Sequence, residues 1–476
     1  MKRSLLTYTL FAATALIYSC GVPKIVEKKA STDALPTKYD DLGSEVNVAD
    51  MNWKQYFKDP YLEKLIDTAL LHNQELNIML QEMAISGNEV MARKGEYMPF
   101  VGVRGGAGVE KRSENTPLGA LERDVEIRNG KENPEPMPDF GAALFANWEL
   151  DIWNKLHNAT KAAQLRFLSS VEGKNFMVTN LVAEIAHSYY ELLALDQQRA
   201  ILQQNIKLQE SALETAKVQK MATRVTELAV KKFEAELLKT QSLQFDIDQQ
   251  RVETENKLNY LVGRFPQHID RSEADFDVEK LAALDAGLPA HLLNNRPDVR
   301  QAELAMAAAD LDIKVAKARF YPSLGISASI GYQAFNPAYL LKTPQSLVYS
   351  LAGDLAAPLI NKKAIQADYL TANAKQIQSV YEYEQTVLNA YVEVANQLSK
   401  YQNTASGTQY KTRQVSALNE SIRIANDLFN SAHADYMEVL TTQRDVLESK
   451  FELIESQKSQ YNAMVDLYRS LGGGWH

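Results

Sequence analysis

The sequence predicts a mixed fold: long, coiled-coil-like α-helices and four membrane-type β-strands, laid out as two structural repeats in one chain of 476 residues. Three observations carry it. Proline is absent from 139 to 265 and after Pro358, and Gly173 and Gly407 are the only glycines between Trp153 and Val262 and between Pro358 and Gly472. Helices tolerate that emptiness, whereas loops and β-domains rarely show it. Four stretches instead alternate apolar with small or polar residues at period two. The order helix, strand pair, helix pair then recurs. Pro99 matches Pro322, Asn154-Lys155 matches Asn361-Lys362, and Glu227-Leu228 matches Glu438-Val439, as an old duplication with insertions would leave them.

Taken in chain order, Lys2-Arg3, an apolar run from Leu5 to Tyr18 and Ser19-Cys20-Gly21 have the parts of a secretory leader. Ile17-Tyr18-Ser19-Cys20 is similar to a bacterial lipobox, so residues 1–19 are expected to be removed and Cys20 to be lipidated. An ordinary leader followed by a chance cysteine is the alternative. Acyl chains contribute about 0.8 kcal/mol per buried CH₂, so an acylated Cys20 holds the chain on a membrane without a spanning helix. Residues 20–58 then form an extended tether. A helix over 59–98 ends at Met98-Pro99, because proline disfavours a helical residue before it.

The first strand pair occupies 99–152. Val101, Val103, Ala107 and Val109 face away from Gly102, Arg104, Gly106, Gly108 and Glu110. Phe140, Ala142, Leu144, Ala146, Trp148 and Leu150 face away from Gly141, Ala143, Phe145, Asn147, Glu149 and Asp151. Residues 113–138, with four prolines, form the loop between them. A long helix pair fills 153–265. Positions 181, 185, 188, 192, 195, 199, 202, 206 and 209 follow 4-3 spacing, and six of the nine are Leu or Ile. A helix from Trp153 to Met221 spans roughly 100 Å at 1.5 Å per residue.

After a linker at 266–295 the second repeat opens at Asn295-Arg296-Pro297-Asp298, with Pro at the first helical position and an acid behind it. Its helix covers 296–320. The second strand pair lies in 321–360, with the loop 335–346 between Leu324–Ala334 and Leu347–Leu355. The second helix pair covers 361–471, where Met437, Leu440, Leu447, Phe451, Ile454, Tyr461, Val465 and Tyr468 keep heptad spacing. Residues 472–476 are a short tail.

Such strands suit a transmembrane barrel, apolar toward lipid and polar toward a lumen, and on alternation alone they suit an ordinary sandwich equally. Export and a lipid anchor favour the barrel. Four strands cannot close one, since eight is the smallest bacterial number, and lipid does not tolerate open edges. Several chains must therefore complete the barrel, and three chains supply twelve strands.

Composition excludes much else. Lys and Arg number 51 against 60 Asp and Glu, a net charge of −9, which argues against a nucleic-acid partner. With 45% hydrophobic and 23% charged residues the chain is expected to be ordered. One cysteine rules out a disulfide framework or a multi-thiolate metal centre. No apolar run is long enough for a transmembrane helix. The seven histidines are scattered without metal-ligand spacing, and neither GxxxxGK[ST] nor GxGxxG occurs. No catalytic residue, metal site or cofactor is expected.

Asn295-Arg296-Pro297-Asp298-Val299-Arg300-Gln301-Ala302-Glu303, Phe320-Tyr321-Pro322-Ser323, Asn147-Trp148-Glu149-Leu150-Asp151-Ile152-Trp153, Tyr436-Met437-Glu438-Val439-Leu440 and Val465-Asp466-Leu467-Tyr468-Arg469-Ser470-Leu471-Gly472-Gly473-Gly474-Trp475 resemble the outer-membrane efflux proteins. The likeness is to the lipoprotein (OprM- or NodT-like) branch of the TolC family. It implies a homotrimer with a twelve-stranded barrel in the outer membrane and a helical barrel of twelve helices in the periplasm. It also implies a passive exit duct for drugs, toxic compounds or metal cations. A periplasmic adaptor (membrane fusion protein) and an inner-membrane RND-type transporter are its implied partners, and outer-membrane lipid its surroundings. A lipid-anchored periplasmic coiled-coil structural protein is the alternative, although it would not need the strands.

The resemblance places a periplasmic aperture where each long helix pair turns. Thr226, Glu227 and Glu438 would line it, and Phe429 would hold a position usually aromatic there. Ala434 and Thr441 depart from the best-known pattern, which has a clamping Arg and a second acid at these places. Arg224 is the candidate replacement cation. Glu227 and Glu438, repeated by threefold symmetry, would form a negative ring that favours cations; solvation of an ordinary helix turn is the competing reading. Residues 215–228 and 425–438, including Lys217, Lys220, Asp427 and Asp435, would meet the adaptor.

Overall fold

The computed structural model describes residues 22–26, 36, 51–271, 289–431 and 433–475. The leader and Cys20 lie outside the described residues. The chain divides into two compact units, one built from 85–167 and 304–380 with the first N-terminal residues, the other from 31–84, 168–303 and 381–476.

The first unit holds the strands. β1 (Phe100–Glu110), β2 (Met137–Leu150), β3 (Ser323–Ala334) and β4 (Leu347–Ala356) form one antiparallel sheet in sequential order, so β1 and β4 are its open edges. The register turns the predicted alternation into two complete faces. Val103 lies opposite Leu144, Leu144 opposite Ile330, and Ile330 opposite Tyr349. One step along, Gly102 lies opposite Phe145, Phe145 opposite Ser329, and Ser329 opposite Ser350. The first row is bulky and apolar, the second small and polar apart from Phe145. Gly331 is held to glycine by close approach, since a Cβ there would come within 2.3 Å of the Ala142 carbonyl oxygen.

Aromatic side chains mark one end of this sheet. The Trp148 indole N–H donates to the Tyr97 carbonyl (2.9 Å), and that of Trp153 to the Pro322 carbonyl (2.7 Å) while its ring stacks on Tyr321. Amphipathic rings of this kind gather where a membrane meets water. Just beyond, Val22 and Ile25 pack against Ile313, Phe320 and Tyr369. At the other end the expected loop 113–138 is partly helical. Thr116 caps a short helix, Pro117–Asp124, and β2 begins at Met137 because the ladder with β1 reaches Glu110. Thr-Pro at a helix start supplies both the capping oxygen and the preset φ.

Numbering the helices in chain order, α1 is Trp53–Phe57, α2 Pro60–His72, α3 Gln74–Glu96 and α4 the loop helix Pro117–Asp124. The long pair is α5 (Lys155–Met221) with α6 (Glu227–Leu261), followed by the short α7 (Leu292–Asn295) and by α8 (Pro297–Ala318). The second long pair is α9 (Lys363–Asn430) with α10 (Tyr436–Ser470). Both α6 and α10 have 35 residues, and α5 and α9 are preceded by Asn154 and Asn361, each at φ 55°. The duplication therefore extends to backbone conformation.

The second unit has the larger core. Leu181, Ile185, Leu192, Leu195 and Leu202 of the α5 heptads are buried, as are Ile454, Tyr461, Val465 and Tyr468 of α10. Three expectations change here. The span taken as tether contains α1, whose Trp53, Tyr56 and Phe57 are buried, with Tyr56 stacked on Tyr468 at 4.2 Å. Three aromatics in five residues drive burial that an open tether cannot satisfy. The helix expected over 59–98 is broken at Asn73, which leaves the helical region, caps α3 by accepting from the Leu76 N–H, and donates to the Leu261 carbonyl. Part of the expected linker at 266–295 is also helical, at Pro289–His291 and in α7.

The two repeats close onto this unit in the same way. Gly263 and Gly472 follow α6 and α10 with φ of 78° and 93°. Each ends its helix with a pair of bonds: Gly263 N–H to Tyr260 O and Arg264 N–H to Asn259 O, then Gly472 N–H to Arg469 O and Gly473 N–H to Tyr468 O. These are left-handed glycine caps. A Cβ on Gly263 would meet the His72 carbonyl oxygen at 2.2 Å, and one on Gly472 the Asn295 oxygen at 2.5 Å. Beside the second cap, Arg296 forks onto Asp298 (3.0 and 2.7 Å), pairs with Glu393 (2.9 Å) and donates to the Ser470 carbonyl (2.7 Å).

Candidate functional site

The helix-tip turns are built on a small apolar cluster. Leu213 and Ala216 of α5, Val230, Phe233 and Leu237 of α6, Ala425 and Phe429 of α9 and Val439 of α10 are buried together. This hydrophobic floor holds the two helix ends in place and leaves the turn residues in water.

In the first turn Thr223 takes the left-handed conformation (φ 61°), with Thr223 N–H on Lys220 O and Arg224 N–H on Gln219 O. Thr226 then caps α6, its hydroxyl accepting from the Ala229 N–H at 3.3 Å. Its hydroxyl is therefore engaged in holding the helix end. Glu227 is exposed and ion-paired with Lys220. The Lys220 ammonium, by hydrogen bond and charge, holds the Glu227 carboxyl below its usual range. Arg224 is exposed and makes no ion pair among the described residues, while Lys220 is the cation that pairs with Glu227.

In the second turn Asp435 precedes α10 without a side-chain capping bond, and Glu438 is exposed in its first turn. Neither acid forms an ion pair among the described residues. Other tip charges pair within their own helix: Lys217 with Glu214, Lys231 with Glu234, and Arg423 with Glu420 and Asp427. Phe429 packs within its own chain. It is buried in the apolar cluster with its ring 6.5 Å from Phe233, because an aromatic on the inner stripe of two packed helices is drawn inward.

The matched acids also separate. The caps Thr226 and Asp435 align the repeats, which sets Glu227 beside Tyr436 and sets Glu438 beside Ala229. Two residues amount to roughly 200° around a helix, so the two glutamates stand on different faces of equivalent turns. Lys220 was visible in the sequence as a tip charge; only its reach across the turn to Glu227 was not.

Farther along the same unit, a groove of about 780 Å³ lies between α6 and α10, floored by Leu243, Leu447 and Phe451 and edged by Glu236, Lys239 and Arg444. No cluster of His, Cys, Asp and Glu able to hold a metal ion occurs among the described residues. No described helix is long and apolar enough to cross a membrane.

A sheet with one continuous apolar face, joined in sequence to heptad helices, defines a channel protein of the outer-membrane efflux class. Residues 65–264 and 288–473 match the outer membrane efflux protein family, and the chain belongs to it. It is 25% identical to the pyoverdine export outer membrane protein OpmQ of Pseudomonas aeruginosa over 99% of this chain and 98% of that one. It is 24% identical to the cation efflux system protein CusC of Escherichia coli over 90% of each. Among solved structures, the CmeC outer membrane channel of Campylobacter jejuni superposes with a TM-score of 0.85 at 17% identity, covering 96% of this chain and 95% of that one. The protein is an outer-membrane channel of an efflux system, a passive conduit that extends into the periplasm and works with adaptor and pump partners.

Proposed function

We propose that three copies of this chain form one exit duct, with a twelve-stranded barrel made of three four-stranded sheets. The observation that carries this reading is the pair of open edges, β1 and β4, on a sheet whose other face is apolar. In lipid every backbone group must be paired, and joining β4 of one chain to β1 of the next leaves no edge. Exposed apolar residues at seven-residue spacing on α6, Leu238, Phe245 and Val252, with Leu388 on α9, suit the same assembly. The detergent-solubilised protein is expected to have the mass of three chains and to conduct in planar bilayers. A single-chain mass would overturn the reading.

Cys20 is the proposed lipid anchor, two residues before the segment Val22–Val26. An RND-type transporter and a periplasmic adaptor meeting the tips at 215–228 and 425–438 complete the system. The proposed cargo is small molecules, among them drugs, toxic compounds or metal cations.

The orientation of the sheet gives a direct test. A lysine at Ile330, at mid-strand on the apolar face, is expected to cost about 2–4 kcal/mol, as charges do on the lipid side of barrels. Ser329→Lys, one residue away on the small face, is expected to stay within about 0.5 kcal/mol of the parent. Unfolding in lipid vesicles measures both.

At the tips, Glu227 is offset by Lys220, so Glu438 supplies the uncompensated negative charge of the proposed gate. Thr226 and Arg224 flank it. Glu438→Gln is expected to lower the cation preference of single channels, and Glu227→Gln to change it less. Equal selectivity in the parent and the Glu438 variant would leave these acids as ordinary solvated turn residues.

A further inference from the structure

We propose that Phe100, Phe145 and Arg104 form a contact site for aromatic carboxylates on the lumenal face of the sheet. This rests on the barrel reading above, which makes the small, polar face the lumenal one.

Three observations place these side chains together. The ladder sets Phe100 opposite Asn147, Gly102 opposite Phe145 and Arg104 opposite Ala143, so all three lie on the same face of β1 and β2. The two phenyl rings have centroids 5.9 Å apart and a tilt of 50°. A Cβ on Gly102 would come within 2.8 Å of Phe145 Cζ, so the ring lies down over the glycine and paves the wall.

The surroundings make the rings conspicuous. Their row and its neighbours carry Ser327, Ser329 and Ser350, with the Ser329 and Ser350 hydroxyls 2.8 Å apart. Phe100 is 64% exposed. Phe145 packs on Gly102 and Phe100, and leaves the Phe100 ring bare in a polar row. It offers a flat apolar face to whatever passes.

Arg104 supplies the second half. It is the sole Lys or Arg in the four strands, it is exposed, and it forms no ion pair among the described residues. Strands rise roughly 3.3 Å per residue, so its Cα stands roughly 7 Å along β1 from Gly102. A guanidinium recognises a carboxylate by a planar fork, and the rings take an aromatic body in offset or edge contact. An aromatic carboxylate matches both groups; an aliphatic acid matches only one.

The test uses the full-length protein in planar bilayers, with 1-naphthoate and cyclohexanecarboxylate as probes. Wild-type channels are expected to be blocked at lower concentration by 1-naphthoate. Arg104→Gln, and separately Phe100→Leu with Phe145→Leu, are each expected to raise the blocking concentration about fivefold or more, as loss of a charged or aromatic contact does. Arg104→Lys, which keeps the charge, is expected to retain part of the block, and serves if the glutamine variant inserts poorly. Equal block by the two probes, or an unchanged block in the variants, overturns the proposal while the barrel stands. Wild-type protein that passes no current overturns the barrel reading and this site together.

Discussion

Replacing Arg296 with alanine is expected to destabilise the helical unit by about 3–5 kcal/mol, the usual cost of removing one partner from a buried ion pair. The side chain is 7% exposed and holds four acceptors at once: both oxygens of Asp298, one of Glu393 and the Ser470 carbonyl. Glu393 would keep Arg469, at 2.5 Å, which limits the loss on that side. The Ser470 carbonyl ends α10 and would lose its donor. Arg296→Lys is expected to recover only part of the stability, because an ammonium cannot fork onto Asp298 while reaching Glu393. Thermal unfolding of the purified protein in detergent measures the series. A lysine variant as stable as the parent would show that charge, not geometry, is what this position needs.

Gly263→Ala and Gly472→Ala are each expected to cost about 3 kcal/mol or more, by two additive causes. A left-handed backbone disfavours any Cβ by roughly 1–2 kcal/mol. The new methyl would also overlap the His72 or Asn295 carbonyl oxygen, at 2.2 and 2.5 Å, and overpacking against fixed backbone costs about 1–3 kcal/mol. Gly407 provides the contrast. It lies inside α9 with open space around its Cα, and Gly407→Ala is expected to stabilise the protein by roughly 0.5–1 kcal/mol. Opposite signs at glycines of one chain, read by the same thermal unfolding, separate the two roles. A neutral Gly472→Ala would show that the cap yields.

The positions where the sequence reading changed have a common cause. Asn73 sits in a stretch whose local propensity allows a continuous helix; its break depends on the Leu261 carbonyl, 188 residues away, accepting its amide. Trp53, Tyr56 and Phe57 follow a long segment with no periodic pattern, and their burial depends on Tyr468 and its neighbours. Phe429 is aromatic near a turn, and only the arrival of Phe233 from the other helix pair decides that it faces inward. Glu227 and Glu438 look equivalent as letters, while the caps at Thr226 and Asp435 set them out of phase. The first three depend on a contact between distant residues, which no local pattern encodes.

What the sequence by itself determined is everything governed by period and punctuation. Heptad spacing without proline and with a single glycine in each of α5 and α9 placed the long helices, because a helix needs an unbroken backbone ladder and one apolar stripe. Two-residue alternation placed the strands and their faces, because a one-residue slip would reverse every side chain. The tertiary structure alone decided which charges neutralise each other, which aromatics are hidden, and which glycines are indispensable. Those outcomes turn on gaps of a few ångströms between groups that only the folded chain brings together. The Lys220–Glu227 pair, the Gly472 cap and the rings beside Arg104 exist only once the helices have turned and the strands are in register.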